Sequence, residues 1–130
     1  MASIFSEIIS GEIPCYKIAE TNDFLAFLDA YPLRKGHTLV IPKKEVDYIF
    51  DLDDETYAGL MMFSKIVSIA VNKAIECKRV GVAVIGLEVP HTHVHLVPIN
   101  DVSDLNFNQK KMELSTEEME SIAASIRSSL

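Results

Sequence analysis

The stretch Pro90-His91-Thr92-His93-Val94-His95-Leu96-Val97-Pro98 holds three of the four histidines in this 130-residue chain. Side chains on a strand alternate faces with a period of two. A strand here turns His91, His93 and His95 to one side and Val94 and Leu96 to the core. Three chemistries are open to such a row. It can be the solvated face of an edge strand, although Thr, Lys or Glu would serve equally there. It can bind zinc, which needs a carboxylate or thiolate from elsewhere because the motif contains none. It can attack phosphorus, because an imidazole with a pKa of about 6.5 is largely neutral at pH 7 and nucleophilic without further activation. Neighbouring imidazoles would then donate hydrogen bonds to the phosphoryl oxygens as charge develops. The chemistry of the third reading needs no metal and no cofactor.

Positioning such a row requires a sheet. Ile4, Phe5, Ile8 and Ile9 recur at helical spacing, with Gly11 as a stop and Pro14 forcing an extended exit. Cys15 to Ala19 and Phe24 to Leu28 read as a hairpin about the Glu20-Thr21-Asn22-Asp23 turn. A loop from Asp29 to Gly36 carries Pro32, Arg34 and Lys35, and His37 to Ile41 is a further strand closed by Pro42. Asp53 is placed as the N-cap of a long helix whose apolar stripe is Leu60, Phe63, Val67, Ala70, Val71 and Ala74, ending near Cys77. Val80 to Ile85 reads as a fully buried strand and Val89 to Ile99 as another, broken by Pro90. Ser115 and Glu118 form a capping box before a last helix with Met119, Ile122, Ala123, Ile126 and Leu130 on its apolar face. This order predicts an α+β fold with an antiparallel sheet. Met61, Met62, Ile66 and Ile69 give the long helix more apolar surface than one core face needs.

Composition narrows the class. Apolar residues make up 48% and charged residues 24%, as in an ordinary globular protein. Twelve Lys and Arg against nineteen Asp and Glu leave a net charge of -7, a field that repels nucleic-acid backbones. A small phosphorylated ligand stays compatible with that field. Cys15 and Cys77 are too few for a disulfide framework. No apolar run approaches the roughly 20 residues of a membrane helix. The N-terminus has no basic n-region. A reduced, cytoplasmic setting is expected, without a membrane or nucleic-acid partner.

Four segments, in order, resemble the histidine triad (HIT) superfamily and its Hint-like branch. Ile4-Phe5 through Gly11-Glu12-Ile13-Pro14 is similar to the opening helix and its exit. Phe27-Leu28-Asp29-Ala30-Tyr31-Pro32 resembles the strand end that contacts ribose. Gly36-His37-Thr38-Leu39-Val40-Ile41-Pro42-Lys43 resembles the next strand with the family's fourth histidine, and His91-x-His93-x-His95 is the triad. The resemblance covers about residues 3 to 99. It implies a five-stranded antiparallel sheet with one long helix, a short N-terminal helix and a C-terminal helix. Residues 1–130 would form one HIT-like domain, with 100–130 as an extension ending in a helix.

The resemblance also implies roles. His93 is the nucleophile that takes the nucleotidyl group. Its other ring nitrogen is oriented by a backbone carbonyl near His95. His95 bonds phosphoryl oxygens, and His91 pairs with His37 as a relay behind the phosphate. Asp29, next to Ala30, accepts from the ribose hydroxyls, and Phe5, Ile8, Ile13 and Phe27 enclose the base. A homodimer joining two sheets is implied as well.

Two departures stand out. Leu87 occupies the place of the family's usual Gln phosphate donor, in a shortened loop Gly86-Leu87-Glu88, and Glu88 stands where some members use Ser. The zinc-binding Cys-x-x-Cys of many bacterial members is Ser3-Ile4-Phe5-Ser6 here, so that zinc site is expected to be missing. The expected activity is hydrolysis or transfer on a purine nucleotide, nucleoside phosphoramidates first and dinucleoside polyphosphates second, through a covalent nucleotidyl-histidine. The rival is a nucleotide-binding or interaction module that keeps the pocket with little turnover.

Overall fold

A computed structural model describes residues 2–130. Helix α1 spans Ile4–Ser10, strands β1 and β2 Lys17–Glu20 and Phe24–Leu28, and β3 Thr38–Pro42. Helix α2 spans Asp54–Ala74, β4 Arg79–Ala83, β5 Val94–Ile99 and helix α3 Thr116–Ser128. The five strands form one sheet in the order β1-β2-β3-β5-β4, every neighbouring pair antiparallel. The α+β reading and the five-stranded sheet with its three helices are as expected.

Local chemistry explains the ends. Ser3 caps α1 by accepting from the Ser6 N–H, and Gly11, at φ 88°, turns the chain out through a left-handed residue that glycine adopts without strain. Asp53 caps α2 by accepting from Thr56 N, and Ser115 caps α3 by accepting from Glu118 N.

Both faces of the sheet are covered. Ala26, Leu28, Val40, Val94 and Leu96 pack with Leu60, Val67 and Val71 of α2 and with Met119, Ala123 and Ile126 of α3. The opposite face carries a smaller cluster of Leu25, Phe27, Leu39 and Ile41 beneath Phe5 of α1. His37, His93 and His95 have the sequence parity of this second set. The large core thus fixes the sheet from behind while the histidines stand on the front.

Two strands differ from expectation. The strand expected from Val89 begins at Val94, and residues 84–93 cross in irregular backbone. Pro90 has no N–H for a ladder, and Gly86 sits at φ 72°. The strand expected to be fully buried is β4, at the sheet edge, where Val82 is 52% exposed. Among the described residues, no helix is long and apolar enough to cross a membrane.

Candidate active site

His91 lies against the same Phe5 ring as His93 but does not reach the cavity that His93 and His95 line. It lies in the bend before β5, held by its N–H to Val89 O at 2.8 Å, and next to it Thr92 donates through N and Oγ1 to Val46 O, each at 2.7 Å. Its ring is fully buried. Nε2 lies 2.7 Å from Pro42 O, which can only accept, so the proton is on Nε2 and Nδ1 accepts from Ser3 Oγ at 2.9 Å. Ser3 N and Ser6 Oγ both donate to Glu45 Oε1 at 2.6 Å. Those hydrogen bonds hold the Glu45 carboxyl down at about 2. At the positions where thiols would hold zinc, hydroxyls and a carboxylate tie α1 to the triad.

His93 keeps one nitrogen free. Its Nδ1 lies 2.7 Å from the carbonyl oxygen of His91, so Nδ1 carries the proton and Nε2 carries the lone pair. The orienting carbonyl is that of His91, not one near His95. Burial pushes the His93 imidazole below 6.5, against the pull of that carbonyl and of Asp29.

His37 pairs with His95, correcting the expected pairing with His91. Leu33 N donates to His37 Nδ1 at 3.0 Å, so the His37 proton sits on Nε2, which donates to His95 Nδ1 at 3.0 Å. His95 must then carry its own proton on Nε2. The register makes this pairing possible: β3 and β5 are neighbours and Leu39 stands opposite His95. Burial, then the adjacent imidazoles and Lys111, push His37 to about 3, and burial with His93 and Lys111 pushes His95 to about 4. At neutral pH the front of the sheet presents a lone pair on His93 beside a donor on His95, with ring centroids 4.9 Å apart.

These rings open on a cavity of about 350 Å³. Asp29, His37, His93 and His95 form its floor, Ile85 to Glu88 one wall, and Phe107, Asn108 and Lys111 the other. Asp29 follows β2, accepts from Tyr31 N at 2.9 Å and lies 3.6 Å from His37 Nε2; burial raises its carboxyl above 3.8. Leu87, 89% exposed, and Glu88 are at the rim, so Leu87 is not a core residue.

The residues expected around the base divide. Phe5 stands edge-on to His93 at 5.0 Å and to Phe27 at 5.7 Å, both phenyl rings buried, with Ile8 packed at the edge of their cluster. Ile13 is half-buried and Ala30 exposed, and none of these five lines the cavity. Sequence reasoning missed Leu33, whose contribution is a backbone N–H with no residue signature. It missed Glu45, an acid in a charged turn. It also missed Phe107, Asn108 and Lys111, which lie in the extension.

Asp29, His37 and His95 bring three ligand-type atoms within 4.8 Å of one another. The donor set does not suit a cation. The Leu33 N–H occupies His37 Nδ1, so Nε2 holds the proton and has no lone pair to offer.

Residues 10–102 match the HIT domain family. The chain is 35% identical over 136 residues to adenosine 5'-monophosphoramidase of Schizosaccharomyces pombe, covering 100% of this chain and 99% of the relative. It is 32% identical over 100 residues to an adenylylsulfatase of Arabidopsis thaliana, covering 73% of this chain and 51% of the relative. The crystal structure of a HIT-like protein from Bartonella henselae superposes with a TM-score of 0.87 at 32% identity, covering 98% of this chain and 96% of that one.

Proposed function

The chain belongs to the HIT domain family and is a nucleotide hydrolase of that family, and we propose that it hydrolyses nucleoside phosphoramidates through a nucleotidyl group carried on His93. The observation that supports this most is the Nδ1–H of His93 committed to His91 O, which leaves Nε2 unprotonated on a residue that lines the cavity. In the first step Nε2 bonds to the α-phosphorus while the P–N bond breaks and the departing nitrogen takes a proton. In the second, water bonds to phosphorus, the P–Nε2 bond breaks, and nucleoside monophosphate leaves. The Nε2–H of His95 meets the phosphoryl oxygens as their charge grows. Asp29 accepts from the ribose hydroxyls. Leu87 and Glu88 border the phosphate and the leaving group; Phe5, Ile8, Ile13, Phe27 and Ala30 do not line this cavity, so on this reading the base reaches them only by extending past Asp29 beyond it. The full-length similarity to a monophosphoramidase favours that substrate over dinucleoside polyphosphates.

The test is steady release of adenosine monophosphate from adenosine 5'-phosphoramidate. Wild type should turn over. His93→Ala should not, yet should bind adenosine monophosphate. Acid-labile adenylate on the wild-type chain, seen by mass spectrometry after rapid quench, should be absent from the variant. Undiminished turnover by His93→Ala would overturn the nucleophile assignment. A wild type that binds the monophosphate without turnover would establish the binding-module reading, which the exposed Leu87 in place of a donor favours.

Three further readings belong to the same proposal. Residues 1–130 act as one domain in a reduced cytoplasm. The chain pairs with a second copy through the apolar surface of α2, where Met62 and Ile66 are 59% and 55% exposed. A solution mass near the monomer's 14.5 kDa at micromolar concentration would end the dimer reading.

A further inference from the structure

We propose that Lys111 recognises the phosphate charge of the nucleotide, so that the C-terminal segment supplies the phosphate contact that the loop before the triad lacks. This rests on the reading of the cavity as a nucleotide site. Lys111 is the one Lys or Arg among the residues lining that cavity. The other formal charges there are Asp29 and Glu88, and the neutral imidazoles add none. In a chain of net charge -7, a phosphate entering the cavity meets repulsion unless Lys111 offsets it.

The ammonium is placed for that task. Lys111 is half-buried, and its Nζ donates to Phe107 O at 2.7 Å, leaving two of its three protons unused. Among the described residues it forms no ion pair, a state it shares with Lys65, Lys73, Lys78, Arg79, Lys110 and Arg127, none of which lines the cavity. The segment that carries it is fixed at both ends. Met112 N donates to Pro32 O at 2.8 Å, and Gln109 Nε2 to Asp104 O at 3.0 Å. Ahead of both, the Phe107 ring stands edge-on to His95, with centroids 4.7 Å apart. Lys111 is thereby held beside the ring whose Nε2–H faces the same anion. Its charge is felt at His37, His95 and Asp29. The loop before the triad contributes Ile85, Gly86, Leu87 and the anionic Glu88 to the lining, and no side chain there carries an N–H donor.

The test compares adenosine 5'-monophosphate with adenosine by calorimetric titration of the full chain. Lys111→Met should weaken the monophosphate about 10- to 100-fold, the worth of a charge-assisted hydrogen bond. It should leave adenosine within about twofold, and Lys111→Arg should recover most of the loss. In the wild type, the Lys111 side-chain resonances should shift with the monophosphate and stay still with adenosine, a readout that does not need the variant to fold. Unchanged affinity for the monophosphate, or equal losses for both ligands, would overturn the assignment and leave Lys111 as a tie to Phe107. If wild type also fails to bind the monophosphate or release it from a phosphoramidate, the functional reading falls with it. If wild type does both and Lys111→Met matches it, only Lys111 falls.

Discussion

Leu33 decides which nitrogen of His95 carries the proton, although the two are joined only through His37. The Leu33 N–H fills His37 Nδ1, the His37 proton moves to the far side of the ring, and His95 receives it at Nδ1. A loop amide thus sets the donor that faces the substrate. His37→Ala should let the His95 tautomers mix and lower kcat by about tenfold, a fraction of the hundredfold or more lost with a whole donor. KM should change little. Steady-state kinetics on adenosine phosphoramidate checks this, and an equal loss in a His95→Ala, His37→Ala double variant and in His95→Ala alone would show that the two act as one unit.

Acid should act on fold and activity together. His37 and His95 stay neutral in the fold to about 3 and 4, whereas the unfolded chain protonates them near 6.5. The unfolded chain binds more protons across that window, so this stability is complete above pH 6.5 and is lost as pH falls toward 4 and then 3. Asp29, raised by burial, works in the opposite sense and offsets part of the loss. Tm should fall between pH 7 and pH 4.5, less steeply in His37→Asn. The acid limb of kcat/KM should lie below 6.5, because burial lowers His93.

Ser3→Ala removes the donor to the buried Nδ1 of His91 and the cap of α1 in one change. An unsatisfied buried acceptor costs about 1–3 kcal/mol. Urea unfolding should show a loss of that order, and Ser3→Thr, which keeps the hydroxyl, should regain most of it.

Leu87→Gln introduces an amide at a position 89% exposed, so it buries no unpaired group and should leave Tm unchanged. If the missing side-chain donor limits the chemical step, kcat should rise by about tenfold, below the full worth of a donor because the backbone was not shaped for it. Unchanged kcat would place the phosphate contact elsewhere, with Lys111 as the residue to examine.

The large core was legible because α2 repeats a helical stripe and β2 is apolar at every position; Leu60, Val67 and Val71 are buried where that stripe put them. His93 and His95 were legible from alternation. The role of His91 was not, because both its ring nitrogens are taken up by Ser3 Oγ and Pro42 O, partners far away in sequence. The His37–His95 pair depended on which strands are neighbours, and strand order is set by tertiary packing, not by local pattern. Asp29 was readable at the end of β2. Lys111 was not, since an exposed-looking Asn-Gln-Lys-Lys run gives no hint that Met112 binds Pro32 and folds the segment over the cavity.

The tie between α1 and the triad is made of Ser3, Ser6, Glu45 and His91. Thiols holding an ion in that place would oxidise under peroxide and would stand empty when the metal is scarce. Hydroxyls and a carboxylate do neither. Glu45, held at about 2, also stays ionised well into acid. The link from the opening helix to His91 through Ser3 and Glu45 is therefore made without a thiol or an ion among its hydrogen-bonding groups.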